Sequence, residues 1–502
     1  MEVEYIIVQA GGKGTRMKQM TYNKPKALVP IDNLPMIFHL FKKFPQKKFL
    51  IIGDYKFTVL DKYLNAFAEV DYNLIDARGK NGTCAGIREA LELIPEKEAF
   101  MLIWSDLVLP ANYEFPVDKA NYIGISKGFS CRWKYEEHKF HEERSREFGV
   151  AGQFIFENKN LISKVPAEGE FVKWLSLQNI LFETQNLINT NEYGLLEDLS
   201  KLKINKCRPF NKMTFEEDRV IKEPIDEQGK KLAVREIAWY EKIKNEGFKN
   251  IPKIYNTNPL VLERIKGNNI YELNCSFEEK KNILKELIEC LCKIHDLDEC
   301  DCDASSYYDA YIGKTFKRLE KVYNLVPFAT ERYIKINNKK CLNVFYYKEE
   351  LEQEVMKYMP SKFQLIHGDC TFSNMMIRED GTPVMIDPRG YFGTTELLGD
   401  PSYDWTKLYY SIVGNYDQFN LKRFLLKIES DHVELKIESN NWEEMEDTFF
   451  ELLKNKVTKY QMKLLHAITY LSLTTYAWED YDSICGAFYK GILLLNEAIE
   501  EK

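Results

Sequence analysis

The sequence predicts an α/β protein in two parts: an open, mostly parallel sheet first, then an α+β part. Three observations predict this. Strand-like and helix-like patterns alternate from the first residues to about residue 110, as in βαβ units. After KLKINKCRPF the pattern restarts with short strands, one helix and two more strands. Finally, residues 363–390, FQLIHGDCTFSNMMIREDGTPVMIDPRG, set His367, Asp369, Asn374 and Asp387 between short apolar runs.

Composition narrows the class. The 502 residues are enough for two or more domains, and 45% hydrophobic with 29% charged residues is ordinary for a soluble globular chain. A net charge of −8 gives no global basic field to attract nucleic acid. The apolar runs, such as YIIV near the start, are too short for a signal or a membrane span. Eleven scattered cysteines, an odd number, point to reduced thiols and a cytoplasmic location. Cys292, His295, Cys300 and Cys302 lie close together but match no zinc-finger spacing, and His295 reads as structural.

In the first part, EYIIVQA reads as a buried strand, followed at once by GGKGTRM. Strand, glycine-rich turn and helix together bring backbone N–H groups up to a phosphate. Gly11, Gly12 and Gly14 allow close approach, and Arg16 adds a permanent charge. The spacing is neither that of a P-loop nor a clean GxGxxG. In NKPKALVPIDNLPMI, Lys24 and Lys26 flank Pro25 in an extended segment and read as charge for a polyphosphate. KKFLIIGD, YNLIDA and AFMLIWSDLVL read as further strands. FTVLDKYLNAFA reads as a helix, and NGTCAGIREALELI as another, entered through Gly82 and Thr83. Ligands of an open parallel sheet lie outside the carboxyl ends of its strands, where Gly11–Arg16, Asn81–Thr83 and Asp106 all fall. Asp106 is therefore a magnesium candidate, with turn capping as its simpler reading.

GGKGTRM, PKALVPI, NGTCAGI and WSD, in this order, resemble the nucleotidyltransferases that join a nucleoside triphosphate to a phosphorylated sugar or alcohol. FGVAGQFIFEN at 148–158 resembles the strand where that family's acceptor lobe begins. The resemblance implies a Rossmann-like domain at 1–207. Gly11, Gly12, Gly14 and Thr15 would hold the triphosphate. Arg16 and Lys26 would act on the reacting phosphates, Asn81 and Gly82 would contact the base, and Asp106 would bind Mg²⁺. The family's second metal-binding acid has no counterpart: FVKWLSLQN supplies the aromatic without the acid, and Glu197 and Asp198 in LLEDLSKLKI look like a helix's first turn. The charged segment CRWKYEEHKFHEERSREF (131–148) reads as a solvated hairpin or lid. Its Trp133 and Tyr135 would suit an acceptor with a quaternary ammonium, which favours an aromatic cage.

In the second part, NKMTFEEDRVIKEP reads as two strands joined by an acidic turn, KKLAVREIAWYEKIKNEG as a helix ending at Gly247, and IPKIYNTN and PLVLERI as strands. FEEKKNILKELIECLCKIHDL reads as an amphipathic helix, and 303–362 as helices. In 363–390, MMIREDGTPVMI reads as a hairpin. An acid, an Asn five residues on and a second acid beyond the hairpin are the oxygen groups phosphoryl transfer needs. HGDCTFSN, IDPRG and GDPSYDW, after RVIK and LERI, resemble the aminoglycoside phosphotransferase and choline kinase superfamily. That implies a protein-kinase-like domain at 208–502, with a small lobe to about 270 and a large lobe after it. Lys222 would pair with Glu236 at the nucleotide phosphates, Asp369 would be the base, and Asn374 and Asp387 would hold Mg²⁺. Asp404 would brace the loop. The acidic turn carries no glycine, and Asp387-Pro388-Arg389 departs from the acid- and aromatic-rich sequence typical of choline kinases. Arg389 therefore reads as a sensor of an anionic or polyol group, or as a pin for the loop. Trp405, Tyr403 and Trp478 are cage candidates.

The two resemblances together are similar to bacterial fusions of a choline kinase with a CTP:phosphocholine cytidylyltransferase. They imply ATP and CTP (or another nucleoside triphosphate) as substrates, Mg²⁺ as cofactor, and a small alcohol or a sugar as acceptor. Nucleic acid is not an expected partner, and homo-oligomerisation is left open. The competing readings are a sugar kinase joined to a sugar-1-phosphate nucleotidyltransferase, and a kinase with a regulatory nucleotide-binding module.

Overall fold

The computed structural model describes residues 2–194 and 211–502, which fall into two compact units. The first is Met1–Ile204 with the short segment Glu479–Asp482; the second is Asn205–Trp478 with Ser483–Lys502. The expected boundary at 207/208, and Glu197 and Asp198, lie outside the described residues. Among the described residues no helix is long and apolar enough to cross a membrane.

The first unit is organised by β1 (Val3–Gln9), β2 (Lys48–Gly53), β3 (Tyr72–Asp76) and β4 (Ala99–Trp104), all parallel. Their spatial order is β3-β2-β1-β4, so the chain reverses direction across the sheet between β1 and β4. Ligands in such sheets bind outside the strand ends at that reversal. Ile6, Ile7 and Val8 are fully buried, which explains why β1 is an unbroken apolar run: helices or loops cover both faces. Removing each such side chain from water contributes about 1.5–3 kcal/mol. Beyond β4 the sheet continues antiparallel through β7 (Gly149–Phe156), which pairs with β4 and with Tyr122–Ser126. The charged segment forms the expected hairpin, β5 (Lys134–Glu136) with β6 (Lys139–His141).

Two local expectations change. The glycine-rich turn does not run into an α-helix; Thr15–Thr21 is a 3₁₀ segment interrupted by Lys18 at φ 50°. A short 3₁₀ turn lacks the aligned peptide dipoles of a helix, so phosphate binding here falls to individual N–H groups and cations. The helix expected from Gly82 begins only at Ile87 (Ile87–Glu92), because Gly82 and Gly86 both adopt positive φ (87° and 77°).

The second unit begins with an antiparallel sheet. In it β8 (Asn211–Phe215) pairs with β9 (Arg219–Pro224), β9 with β11 (Leu260–Glu263), and β11 with β10 (Ile254–Thr257). Helix α1 (Glu227–Asn245) follows β9; Asp226 caps it by accepting from the Gly229 N–H at 2.7 Å, and Gly247 at φ 77° follows its end. Helix α2 (Phe277–His295) starts in a reciprocal Ser276–Glu279 capping box. The expected hairpin is present as β12 (Met375–Arg378) and β13 (Pro383–Met385), turning at Gly381 with φ 85°. Region 303–362 is not wholly helical: Tyr333–Ile336 and Lys339–Leu342 form a β-hairpin, with alternating burial that a helical reading missed. Trp239, Leu287, Leu291, Phe372, Trp405 and Trp442 belong to the core of this unit.

Candidate active sites

In the first unit, β1 ends at the glycine loop and β4 ends at Asp106. Lys26 is held between them. It sits in a short 3₁₀ turn (Lys26–Leu28), not an extended segment, and its backbone N–H donates to the Gly12 carbonyl at 3.4 Å. Its ammonium is ion-paired with the Asp106 carboxylate. Gly14, at φ 60°, leaves room for this: a Cβ there would stand 3.2 Å from the Lys26 Cβ. Gly12 has open space on its Cβ side, whereas a Cβ on Gly11 would meet that of Asp54 at 2.9 Å. Thr15, Arg16 and Asn81 are exposed. The Asn81–Thr83 turn is fixed by backbone and side chain alike. Gly169 N–H donates to the Asn81 carbonyl at 2.7 Å, the Gln9 amide to the Thr83 carbonyl at 2.7 Å, and Phe171 N–H to the Thr83 hydroxyl at 2.8 Å. Gly82 is required, because a Cβ there would run into the Gly169 carbonyl.

Sequence reasoning missed an acid here. Glu192 lies on the short strand Asn191–Glu192, paired with Leu107–Val108 directly after Asp106. Tyr193 N–H donates to the Asp106 carbonyl at 3.1 Å. Glu192 Oε1, an Arg16 guanidinium nitrogen and Lys26 Nζ lie 3.2, 3.7 and 3.7 Å from the point where a Cβ on Gly194 would stand. Asp106, Glu192, Lys26 and Arg16 therefore form one cluster at the strand ends. No local signal marked Glu192; only the pairing of its strand beside Asp106 brings it in. Lys24 does not join the cluster. It is buried and ion-paired with Asp480 (2.9 Å) and Asp482 (2.5 Å), within the segment that clusters with this unit.

Trp133 and Tyr135 are core residues, 7% and 2% exposed, and the Trp133 indole N–H donates to Glu170 at 2.6 Å. Their rings are covered by their own fold, so they do not form an open cage.

In the second unit, Lys222 on β9 donates to Glu236 on α1 at 2.7 Å and also pairs with Asp387. Burial works against the Lys222 ammonium, but Asp387 and Glu236 outweigh it and raise its pKa, so it stays charged. Asp387 adopts φ 56°, and its backbone N–H donates to the Tyr240 hydroxyl at 3.2 Å. Its carboxylate remains 52% exposed. Asn374 donates through Nδ2 to both the Asp369 carbonyl and Asp369 Oδ2, each at 2.9 Å. That leaves the Asn374 carbonyl oxygen, together with Asp387, as hard oxygen donors that fit Mg²⁺. Among the described residues no group of three His, Cys, Asp or Glu residues is placed to hold a metal by itself.

The loop that carries Asp369 is braced by Asp404. Its Oδ2 accepts from the His367 backbone N–H at 2.9 Å and meets His295 Nε2 at 3.0 Å, and its Oδ1 accepts from Gly368 N–H at 2.7 Å. Burial favours the neutral acid, but His295 and these hydrogen bonds outweigh it and hold the pKa below the usual carboxylate range. His295 is therefore committed to Asp404 and does not join the nearby cysteines. His367 accepts the Asp369 backbone N–H at Nδ1 (3.3 Å), so its Nε2–H donates to the Ile386 carbonyl (3.1 Å). Burial lowers its pKa despite the neighbouring acids, keeping it neutral.

Asp369 itself is ion-paired with Lys407 at 3.0 Å. Burial pushes its pKa up, but Lys407 outweighs burial and brings it below the ordinary value, so the carboxylate is ionised. Lys407 was not singled out from sequence. Its signal was present: it lies three residues after Asp404 on helix α4 (Pro401–Ile412), on the same face. Arg389 N–H donates to the His367 carbonyl at 2.9 Å, and its guanidinium donates to the hydroxyls of Tyr403 (2.5 Å) and Tyr391 (2.9 Å). Trp405, 2% exposed, stacks edge-on against His295 in the core and forms no pocket wall.

Residues 5–157 match the nucleotidyl transferase family, and residues 219–427 match the phosphotransferase enzyme family. The chain is 24% identical over 198 residues to the bifunctional protein GlmU of Methanococcus maripaludis, covering 38% of this chain and 42% of that protein. It is 24% identical over 233 residues to D-glycero-alpha-D-manno-heptose 1-phosphate guanylyltransferase of Campylobacter jejuni, covering 46% of this chain and 88% of that one. Among solved structures, the CTP:phosphocholine cytidylyltransferase of Streptococcus pneumoniae is 17% identical with a TM-score of 0.34, covering 40% of this chain and 98% of that chain.

Proposed function

Because the chain joins an N-terminal nucleotidyl transferase domain to a C-terminal domain of the phosphotransferase enzyme family, we propose that it performs two consecutive steps on one small hydroxy compound. In the first, the acceptor hydroxyl oxygen bonds the γ-phosphorus of ATP, the bond to ADP breaks, and Asp369 takes the hydroxyl proton. In the second, an oxygen of the new phosphate bonds the α-phosphorus of CTP, and pyrophosphate leaves. The product is a CDP-linked alcohol of the kind CDP-choline exemplifies, used for a lipid or a surface polysaccharide.

The observation that carries the reading is the kinase arrangement around Asp369. An ionised base stands on a loop held by Asp404, and the Lys222–Glu236 pair is formed. When Mg²⁺ is bound, through Asn374 and Asp387 in one unit and Asp106 and Glu192 in the other, it neutralises phosphate charge. This chain's residues orient the reactants: Lys222 aligns the ATP phosphates, and Lys26 and Arg16 draw charge from the CTP phosphates. A sugar acceptor giving a nucleotide sugar is the second reading, favoured by the sugar-phosphate guanylyltransferase relative.

The test is a time course with purified protein, ATP, CTP, Mg²⁺ and a panel of alcohols and sugars. ADP release should precede pyrophosphate release; omitting ATP should abolish both, and supplying phosphorylated acceptor should then restore pyrophosphate release alone. If phosphorylated acceptor never yields pyrophosphate with any nucleoside triphosphate, the first unit is a regulatory module instead.

A further inference from the structure

Lys407 and Arg389 act on Asp369 in the second unit, and Lys314 and Arg318 act in turn on Arg389; among the described residues only Lys407 of the four is ion-paired with an acid. Lys407 pairs with Asp369. Arg389 donates to Tyr403 and Tyr391, while its Nε is buried without a hydrogen-bond partner. Lys314 and Arg318 lie one turn apart on helix α3 (Lys314–Val322). Arg318 donates to the Ser472 carbonyl at 2.5 Å, and among the described residues Lys314 makes no side-chain hydrogen bond or ion pair. Tyr311, three residues before Lys314, packs against Tyr403 with ring centroids 5.8 Å apart, and Arg389 and Lys407 both lie over Tyr403, which brings the start of this helix to their side of the site. Burial, then Arg389, Arg318 and Lys407, drive the Lys314 pKa well down, with Asp309 the opposing acid. Burial and Arg389 lower that of Arg318 as well. Like charges held together in a partly buried site are unfavourable unless an anion completes them.

The aromatic faces tell the same story. Arg389 lies 4.3 Å from the Tyr391 ring centroid and 5.6 Å from that of Tyr403; Lys407 is 5.7 Å from Tyr403, and Arg318 is 5.7 Å from Tyr476. A quaternary ammonium needs such faces free and acids nearby. Here they are taken by the chain's own cations.

We propose that this cluster is the acceptor subsite, and that it takes a small alcohol carrying a carboxylate or a phosphate ester, held by Lys314, Arg318, Arg389 and Lys407 with its hydroxyl at Asp369. The proposal rests on the kinase reading of this unit and narrows it, turning the acceptor from choline or ethanolamine to an anion. The carboxylate and the phosphate ester share one chemistry, two or three oxygens that forked guanidinium and ammonium donors can bind.

The experiment follows ADP release by the full-length protein with ATP and Mg²⁺ on matched acceptors: glycerol, glycerate, glycerol phosphate, choline and ethanolamine, then neutral sugars beside their acids and phosphates. An anionic acceptor should exceed its neutral isostere at least tenfold in kcat/KM, and the carboxylate and phosphate arms identify the anion. Sulfate and malonate should compete with the acceptor and not with ATP. Lys314→Met and Arg318→Met should raise the acceptor KM at least tenfold with the KM for ATP unchanged, while melting temperatures confirm folding. If choline or a neutral alcohol is the better substrate, the kinase stands and the anionic subsite falls. If ATP binds but no alcohol of any charge is phosphorylated, both readings fall.

Discussion

The two sites use a lysine against an acid in different ways. In the first unit, Lys26 is ion-paired with Asp106 beside the glycine loop, the Thr15 and Arg16 side chains of that loop and Asn81 of the separate Asn81–Thr83 turn are exposed, and Gly12 has open space on its Cβ side. In the second, Lys222 pairs with Glu236 and Asp387, and beside it Asn374, whose backbone carbonyl accepts from the Ile386 N–H, donates to Asp369, which pairs with Lys407. The first arrangement suits a reaction whose nucleophile is already an anion, so that alignment and charge neutralisation suffice. The second suits activation of a neutral hydroxyl, since it places an ionised carboxylate, Asp369, on a braced loop. The difference predicts which substitutions separate the two activities.

The largest effect is expected from Asp369→Asn. It should lower the kinase kcat by about 10²–10⁴-fold, the range for a positioned base, and leave pyrophosphate release from supplied phosphorylated acceptor unchanged. Loss of both in a folded protein would show that the sites are not independent. Lys26→Met should do the converse, cutting nucleotidyl transfer by about 10²–10³-fold as removal of one charge-stabilising donor does, with ADP formation retained. Glu192→Gln should be milder, about 10-fold or more in nucleotidyl transfer, and should raise the Mg²⁺ concentration needed for half-maximal rate if Glu192 is a metal ligand. A changed rate with an unchanged Mg²⁺ requirement would make it a partner of Arg16 and Lys26 instead.

The smallest effect sharpens the comparison most. In the folded protein Lys407 holds the Asp369 pKa below its ordinary value, so the base is ionised at neutral pH and is lost only as pH falls through that lowered value. Lys407→Met leaves burial unopposed by its main partner. The acid limb of kcat, measured at saturating acceptor, should therefore move to higher pH. An unmoved limb would mean that Lys407 serves only the acceptor.

Much of both sites was legible because the chemistry is carried by short segments. HGDCTFSN and IDPRG place Asp369, Asn374 and Asp387 on the segments that flank one hairpin, and the hairpin formed with its turn at Glu379, Asp380 and Gly381 as predicted. The Lys222–Glu236 pair was legible from the resemblance of RVIK and the helix after it to a protein-kinase-like small lobe. Aromatic residues misled. Trp133 and Trp405 were read by type, and ring type does not reveal whether a ring faces solvent or core.

What the sequence by itself determined is the order of strands and helices, the glycine positions that only glycine can occupy, and the local acid–amide–acid set around Asp369. These depend on backbone conformation and on neighbours a few residues away. Tertiary structure decided what depends on long-range packing. It brought Glu192 beside Asp106, sent Lys24 away from the loop to Asp480 and Asp482, and set Lys407 on Asp369. It also brought the charges of Lys314, Arg318 and Arg389 to bear on one another. Charge is a pairwise property of space, and no pattern along the chain states which cations will meet without an acid between them.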